Sequence, residues 1–406
     1  MDKKPHIALV TVWYPPRISV AVNRMDAFAH YLNLNGFEVT VIALKENSDQ
    51  LSYEFKDGIS IYRLTNQVLI KRPKFYAGEP KWKHLIKVGW NLISARLDSL
   101  PESGWMKAAT AKLSELNLEK KIDLVISSFS PVEAHLAALS FLSKNRDVKW
   151  IADMRDEMSM NKLIPLSAQR KLSRVERKMA LRADAVTSVS EPILTQFRKL
   201  MPEVKNFEEI RNGYNHEFVF NVTFNDKFTI VYAGTFYGLR KPTTFFAGLQ
   251  KALNQVAFDF EIVFVGTHHN FNIPQEFIRN CRFIAKVTQD EAIQLMADAD
   301  ANLLVLPEIE TKGVYSGKIF DYISVMKPII AVVDQYDVAA TLIRELNAGF
   351  VADFNDENAI SDAIKNAYQL WLQKERLPIE SEQVKLLHRK HQVEKLELLI
   401  HKILKQ

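Results

Sequence analysis

Short apolar runs alternate with amphipathic stretches along the first half of the chain. The apolar runs are HIALVTVW (6–13), FEVTVIAL (37–44), IDLVISS (122–128) and VKWIADM (148–154), each long enough for a buried strand. The stretches between them have the spacing of helices, as in NRMDAFAHYLNLNG (23–36). Strands that alternate with helices predict a parallel sheet covered on both faces.

The same alternation restarts after the turn signal Asn212-Gly213. KFTIVYAG (227–234), FDFEIVFVG (258–266) and DANLLVLP (300–307) are the main strands of this second half. The stretch TQDEAIQLMADA (288–299) begins with the Thr and Glu spacing of a helix capping box. A second α/β unit is therefore predicted.

The pattern divides the chain into two predicted domains, residues 1–207 and 208–382. A length of 406 residues also exceeds one ordinary hydrophobic core. The tail over residues 383–406 has apolar positions at three-to-four spacing, which predicts one long amphipathic helix.

Charge and cysteine content narrow the class of protein. The formal net charge is +5, which is less than a dedicated nucleic-acid binder carries. Cys281 is the only cysteine, so neither an intrachain disulfide nor a cysteine metal cluster can form, as suits a reducing cytosol. No apolar run reaches the length of a membrane span. We expect a soluble protein, or one that rests on a membrane surface.

Residues 68–97 mix basic side chains with Phe75, Tyr76, Trp82 and Trp90. Basic charge interleaved with aromatic residues suits an anionic lipid surface. A solvated basic helix whose tryptophans pack inward explains the composition equally simply. A peripheral membrane contact through 68–97 is therefore one of two interpretations.

The stretch VYSGKIFDYISVMKPIIAVV (314–333) places Gly317 and Lys318 at the start of a predicted helix. Glycine lets a ligand approach the backbone, and the first-turn N–H groups favour an anion. Asp321 shares a helix face with Lys318 and can accept hydrogen bonds from a sugar diol. The three residues together predict a site for a nucleoside diphosphate, the alternative being a Lys–Asp surface pair.

Two more stretches place cations after buried strands. In VYAGTFYGLRKP (231–242) a strand ends at Gly234, and Arg240 follows just before a helix. Ligands of open α/β sheets gather at the carboxyl ends of strands, and an arginine can bind a diphosphate with two parallel hydrogen bonds. In WIADMRDEMSMN (150–161) Arg155 and Asp156 follow a strand. They either face a cleft or join the strand end to the next helix as an ion pair.

The order and spacing of seven stretches resemble the retaining nucleotide-sugar glycosyltransferases of the GT-B architecture, in particular family 4. The stretches are YPPRISVAVNRMDAFAHYLNLNGFEVTVIAL, SSFSPVEAHLAAL, IADMRDE, ERKMALRADAVTSVS, RNGYN, VYAGTFYGLRKP and VYSGKIFDYISVMKPIIAVV. The resemblance implies an α/β fold of two Rossmann-like domains with parallel sheets facing a central cleft. It also implies a donor domain (208–382), an acceptor domain (1–207) and a tail helix (383–406) that packs back on the acceptor domain.

The resemblance assigns roles to individual residues. It implies that Arg240 and Lys318 hold the donor diphosphate, that Asp321 binds the ribose, and that Gly234 ends the strand under the phosphates. Gly317 belongs to the same donor site. Glu310 is the nearest acid available for the donor sugar. Arg155 and Asp156 stand at the catalytic cleft position.

Two departures from the family pattern accompany the resemblance. The family pattern contains a pair of acidic residues. The first of the two corresponds to Gly313 in this chain, and Glu308 and Glu310 lie nearby but not at the corresponding position. The glycine pair of the first loop is replaced by Arg17 and Ser19. Both changes weaken the expectation of full activity.

The expected function is retaining transfer of a hexose-type sugar from a nucleotide-diphosphate sugar to a cell-surface polysaccharide or lipid-linked glycan, as in lipopolysaccharide or capsule synthesis. We expect no metal cofactor and no nucleic-acid partner. The expected location is the cytoplasm, with the inner face of the cell membrane as a further option. A non-catalytic GT-B protein that binds a glycan or a partner, and a sugar-nucleotide epimerase, are the alternatives. A nicotinamide-dependent dehydrogenase is disfavoured because no G-x-G-x-x-G follows a predicted strand.

Overall fold

A computed structural model describes residues 4–66, 104–217, 221, 224–236, 241–267, 271–306 and 312–406. The chain divides into two compact units, which we call unit 1 and unit 2. Unit 1 consists of residues 1–188, 193–210 and 393–406. Unit 2 consists of residues 189–192 and 211–392. Apart from the short excursion at 189–192, the chain changes unit at 210/211 and 392/393. The predicted boundary is 207/208, and the predicted tail starts ten residues before 393.

Unit 1 is built on an eight-stranded sheet in the order β3-β4-β2-β1-β5-β6-β7-β8. All neighbouring strands are parallel except β3 and β4, which form an antiparallel hairpin at one edge. The strands are β1 (His6–Val10), β2 (Glu38–Leu44), β3 (Tyr53–Lys56), β4 (Ile59–Leu64), β5 (Leu124–Phe129), β6 (Lys149–Met154), β7 (Ala185–Ser188) and β8 (Asn206–Glu209).

The described helices of unit 1 connect these strands, and the last returns from the far end of the chain. They are α1 (Val20–Leu34), α2 (Gly104–Glu119), α3 (Glu133–Leu142), α4 (Leu166–Ala180), α5 (Glu191–Leu200, which begins in unit 2) and α12 (Arg389–Leu404, whose first turn belongs to unit 2). From Val393 onward α12 buries Leu396 and Ile400 in the same core as Phe28 and Leu32 of α1.

Unit 2 has a six-stranded sheet in the order β11-β10-β9-β12-β13-β14, with every pair parallel. Its strands are β9 (Phe228–Ala233), β10 (Phe260–Val265), β11 (Cys281–Ile284), β12 (Ala301–Leu306), β13 (Ile329–Val333) and β14 (Gly349–Asp353). Its helices are α6 (Thr243–Gln255), α7 (Gln289–Asp298), α8 (Gly317–Ser324), α9 (Val338–Glu345), α10 (Glu357–Gln373) and α11 (Ser381–Lys385), with a short 3₁₀ helix over Gln275–Asn280. One apolar cluster covers each face of the sheet.

The predicted α/β class is confirmed by the two sheets, and the prediction for the tail is wrong. The tail is not one helix, because α11 ends at Lys385 and α12 begins at Arg389. Between them the backbone turns away to pair with Tyr214, whose N–H donates to the Leu387 carbonyl and whose carbonyl accepts from Arg389 N–H. The structure also has the β3–β4 hairpin between residues 53 and 64, where no strand was predicted.

Candidate functional site

Strand β9 of unit 2 is followed by Gly234, whose backbone is hydrogen-bonded to the end of β10 and to the residues after it. Gly234 has φ of +101°, in the left-handed region that favours glycine. Its N–H donates to the Val265 carbonyl at 2.8 Å, and its own carbonyl accepts from the Thr267 hydroxyl. The carboxyl ends of β9 and β10 are thereby joined, and the backbone at this strand end is fixed.

Lys318 of α8 lies directly over Gly234. A Cβ built on Gly234 would be 2.6 Å from the Lys318 Cε and 3.1 Å from its Nζ, so any other residue at 234 would displace the lysine. The Lys318 Nζ donates to the Tyr232 hydroxyl at 2.6 Å and lies 4.1 Å from the centroid of that ring. The ammonium group is therefore held at the carboxyl end of β9 by a buried tyrosine, with the glycine leaving room for it.

Helix α8 begins at the same strand end. Ser316, the residue before it, makes no side-chain capping hydrogen bond. The first-turn N–H groups of a helix have no partner inside the helix and attract anions. One turn on, Tyr322 accepts a hydrogen bond from the Ala233 N–H at 2.9 Å, which fixes α8 to β9. The predicted combination of Gly234, Gly317 and Lys318 is therefore brought together in one place.

Asp321, the predicted ribose ligand, is half-buried in α8 beside a histidine that sequence reasoning missed. Its Oδ1 lies 3.8 Å from the Nε2 of His216, and its side chain is 23% exposed. Burial raises the pKa of Asp321 to about 7, an effect that the nearby Arg389 cation opposes. The carboxyl group therefore changes charge close to neutral pH.

An oxygen atom lies within hydrogen-bond distance of each ring nitrogen of His216. Nδ1 is 2.8 Å from the carbonyl oxygen of Glu217, which can only accept. Nε2 is 3.0 Å from the hydroxyl oxygen of Ser324, and that hydroxyl donates its own hydrogen to the Asp321 carbonyl at 2.6 Å. The neutral ring can donate through one of these nitrogens. Burial lowers the pKa of His216, which favours this neutral form beside Asp321.

Gly313, where the family pattern would place an acid, contacts a different carboxylate through its backbone. Its N–H donates to the Asp337 Oδ1 at 2.7 Å. The same oxygen accepts from the Val338 N–H at 2.8 Å and caps α9. Asp337 therefore has a structural role at the start of α9, and Gly313 supplies no side chain to the site.

Arg155 and Asp156 lie in unit 1, immediately after β6. Their side chains form an ion pair of 3.0 Å with each other, with Arg155 mostly buried and Asp156 half exposed. The pair lies within the loop itself, so it does not join the strand end to the next helix. The Asp156 carboxylate stays accessible to solvent. The ion pair does not test the catalytic role predicted for the two residues.

The buried ends of the neighbouring strands in unit 1 hold a charge network that no local pattern predicted. Arg24 of α1 donates to both carboxylate oxygens of Asp153 in β6 and, at 2.6 Å, to the Ile210 carbonyl. Asp153 also accepts from the Ser128 and Thr187 hydroxyls, each at 2.8 Å. These contacts hold the pKa of Asp153 down against the opposing effect of its burial.

His135 of α3 is another buried ionisable group near these strands. Its Nδ1 lies 2.7 Å from the Ser127 hydroxyl, which also accepts from the Trp150 indole at 2.8 Å. Its Nε2 has no hydrogen-bond partner among the described residues. Burial lowers the pKa of His135 to about 4. The ring is therefore neutral at physiological pH.

Several predicted features lie outside the described residues, namely Arg240, Glu308, Glu310 and the segment 68–97. In the described part of the chain, no three His, Cys, Asp or Glu side chains form a cluster that could hold a metal ion. None of the helices described there is long and apolar enough to cross a membrane.

Sequence reasoning missed Tyr232, Thr267 and His216. Tyr232 and Thr267 follow the rule that residues at the carboxyl ends of parallel strands meet, so that rule could have identified them. His216 carried no signal, because its approach to Asp321 depends on the fold of the loop after Gly213.

No family model matches this chain, and no curated protein matches its sequence. Solved structures do match it over their whole length. A glycosyltransferase of Rickettsia africae has a TM-score of 0.65 and 13% identity, with 100% of both chains covered. Sucrose-phosphate synthase of Thermosynechococcus elongatus has a TM-score of 0.63 and 11% identity, with 99% of both chains covered.

A third similar structure is HepE of Anabaena in complex with UDP and glucose. Its TM-score is 0.62 and its identity 12%, with 98% of this chain and 100% of that chain covered. These proteins share the arrangement of two parallel-sheet units, and the predicted GT-B fold class is confirmed by the match. At such identities the likeness establishes the fold.

Proposed function

We propose that this protein is a glycosyltransferase that takes a sugar from a nucleoside-diphosphate sugar, as the resemblance to family 4 implies. The observation that carries the proposal is the Lys318 ammonium over Gly234, at the start of α8 and at the carboxyl end of β9. A cation beside the first turn of a helix whose N-cap side chain makes no capping hydrogen bond suits a diphosphate. Solved relatives in fold have been captured with UDP and with UDP-glucose, which supports a donor of this class.

The chemistry follows from where charge develops during transfer. Negative charge builds up on the departing diphosphate, and fixed positive groups stabilise it most effectively where water is limited. Lys318 is already oriented by Tyr232, so little reorganisation accompanies the reaction. Asp321, ionised, accepts hydrogen bonds from the ribose hydroxyls. Arg240, Gly317 and Glu310 complete the proposed donor site, as the resemblance implies.

The acceptor and stereochemistry are proposed from the resemblance. We place the acceptor, a cell-surface polysaccharide or lipid-linked glycan, on unit 1, where Arg155 and Asp156 are the proposed catalytic pair. Retention of anomeric configuration requires that the acceptor attack on the face from which the diphosphate leaves. No metal cofactor is proposed, since the cations and the helix end can neutralise the leaving group. Action at the inner face of the cell membrane remains part of this proposal.

A nucleoside-diphosphate binding experiment tests the donor site directly. A panel of nucleoside diphosphates is screened by thermal shift, because a ligand at a hundred times its dissociation constant adds about 2.7 kcal/mol to stability. Lys318→Ala is expected to weaken binding by about ten- to a hundredfold, since hydrogen bonds to charged groups contribute roughly 1.5–3 kcal/mol. Lys286→Ala, a change at an exposed lysine after β11, is the matched control.

A donor-consumption assay then separates transfer from the alternatives. Donor turnover that depends on an acceptor and falls with Lys318→Ala supports the transferase. Conversion of the donor without acceptor supports the epimerase. Binding with no turnover of any donor supports the non-catalytic protein. The glycine at position 313, where the family pattern has an acid, favours that alternative. Equal turnover by Lys318→Ala and the wild type contradicts the proposed donor site.

A further inference from the structure

The exposed side of α4 in unit 1 is strongly basic. Residues 162–182 contain seven Lys and Arg and a single acid, Glu176. Glu176 is buried, and its carboxylate accepts from the Ser159 N–H at 2.9 Å, so it faces away from the basic side chains. Five of the basic residues are exposed on the helix and form no ion pair with any residue that the structure describes. They are Arg170, Lys171, Arg174, Arg177 and Lys178.

Exposed leucines stand at both ends of this basic face. Leu163 and Leu166 are 87% and 69% exposed before and at the start of α4, and Leu181 is 78% exposed just after its end. Steps of four, four, four and three residues lead from Leu166 through Arg170, Arg174 and Lys178 to Leu181, which places all of them on one side of the helix. At 1.5 Å per residue this stripe is about 22 Å long.

We propose that this stripe binds the surface of a bilayer that contains anionic phospholipids, with α4 lying parallel to the membrane plane. The cations would contact lipid phosphates, and the leucines would enter the boundary between headgroups and acyl chains. The opposite side of α4 packs on unit 1 through Met179 and Ala180, so the helix need not unfold or leave its place to bind.

A lipid surface fits the stripe better than a nucleic acid does. Phosphates of either kind would satisfy the cations, but leucines at both ends gain nothing from a polar nucleic-acid backbone. Burial of apolar side chains at a bilayer does stabilise such a helix. The modest net charge of +5 agrees with a local basic face rather than a wholly basic protein. The stripe includes none of the residues 68–97, and the proposal does not depend on sugar transfer.

Vesicle sedimentation of the full chain tests the proposal. Vesicles of phosphatidylcholine alone are compared with vesicles that contain about one-third phosphatidylglycerol. The wild type is expected to bind the anionic vesicles, and to release from them as added salt shortens the screening length to below about 10 Å. Arg174→Gln/Arg177→Gln/Lys178→Gln is expected to weaken this binding by about a hundredfold, since each basic residue near a charged surface contributes several-fold.

A matched variant controls for the loss of three charges. Arg279→Gln/Lys286→Gln/Lys374→Gln removes three exposed cations from unit 2 and is expected to leave vesicle binding unchanged. Unchanged thermal melting of both triple variants shows that folding is preserved. Equal loss of binding in both triple variants, or equal binding of the wild type to both kinds of vesicle, overturns the proposal.

The leucines distinguish a membrane from another polyanion. Leu166→Ser/Leu181→Ser keeps every charge and is expected to reduce vesicle binding at least tenfold, while any retention on a DNA or heparin column stays the same. If the wild type binds double-stranded DNA and ignores anionic vesicles, the occupant is a nucleic acid and the membrane proposal is wrong.

Discussion

Charged side chains near the strand ends have opposite environments in the two units. In unit 1 the Arg24–Asp153 pair is 1% and 0% exposed, and both hydroxyls nearby are used to satisfy the carboxylate. In unit 2 Lys318 and Asp321 are half-buried, and the pKa of Asp321 is raised to about 7. A buried ion pair whose hydrogen bonds are made inside the protein fixes a fold, whereas charged groups that are partly exposed at a strand end can still contact a ligand.

The largest expected effect comes from breaking the buried pair in unit 1. Arg24→Leu leaves Asp153 buried without its cation, which costs about 3–5 kcal/mol. Urea unfolding at pH 7 measures this change. Arg24→Leu/Asp153→Leu removes both charges and is expected to recover most of the loss. If the single variant costs less than the double variant, the pair does not hold unit 1 together.

The next effect concerns acid stability in unit 1. The pKa of His135 is lowered to about 4 in the folded protein, whereas the unfolded chain binds this proton below about pH 6.5. The free energy of unfolding therefore falls by about 2–3 kcal/mol as the pH drops from about 6.5 to 4. His135→Gln is expected to show a smaller loss between pH 7 and 4.5 in urea unfolding. An identical loss in the two proteins contradicts this assignment.

Asp321 in unit 2 is expected to act with the opposite sign. Its folded pKa of about 7 exceeds the unfolded value, so stability falls as pH rises from about 4 to 7. Because the side chain is partly exposed, solvent screening reduces the effect to about 2 kcal/mol. Asp321→Asn is therefore expected to be more stable than the wild type at pH 8 and equal to it at pH 4.

Ligand binding sharpens the same test. Wild-type affinity for a nucleoside diphosphate is expected to rise as Asp321 ionises around pH 7, because a carboxylate accepts ribose hydroxyls better than a carboxylic acid. Asp321→Asn is expected to show no such rise in isothermal titration calorimetry. A parallel rise in both proteins assigns the pH dependence to the ligand instead.

The smallest expected effect is the difference between two glycine substitutions, which separates backbone strain from the loss of space for Lys318. Gly234→Ala forces an alanine into a positive-φ position and against the lysine, which costs about 1–3 kcal/mol. Gly266 has φ of +69° with open space around it, so Gly266→Ala measures strain alone. Thermal melting is expected to show the larger loss for Gly234→Ala, and Gly234→Ala/Lys318→Ala to remove the difference.

Periodicity predicted the two α/β halves because buried parallel strands and amphipathic helices leave strong local patterns. The β3–β4 hairpin was not predicted, although the pair Asp57-Gly58 is a usable turn signal. Both residues have positive φ, as a type I′ turn requires. The break between α11 and α12 could not be predicted, since it depends on pairing with Tyr214, far away in sequence.

For the candidate site, the sequence identified Gly234, Gly317, Lys318 and Asp321, because strand ends and helix starts are local features. It did not predict that His216 lies beside Asp321 or that Tyr232 holds Lys318. Nor did it predict the Arg24–Asp153 pair, whose members are 129 positions apart. These contacts depend on tertiary packing, which one sequence alone does not display.

The return of α12 to unit 1 has a consequence for biosynthesis. Leu396, Ile400 and Ile403 complete a hydrophobic core whose side chains from β1, α1, β2 and β5 emerge from the ribosome hundreds of residues earlier. A nascent chain, or any amino-terminal fragment that stops before Val393, would expose the apolar surface that these residues cover. The first unit to be synthesised is therefore the last whose core can close.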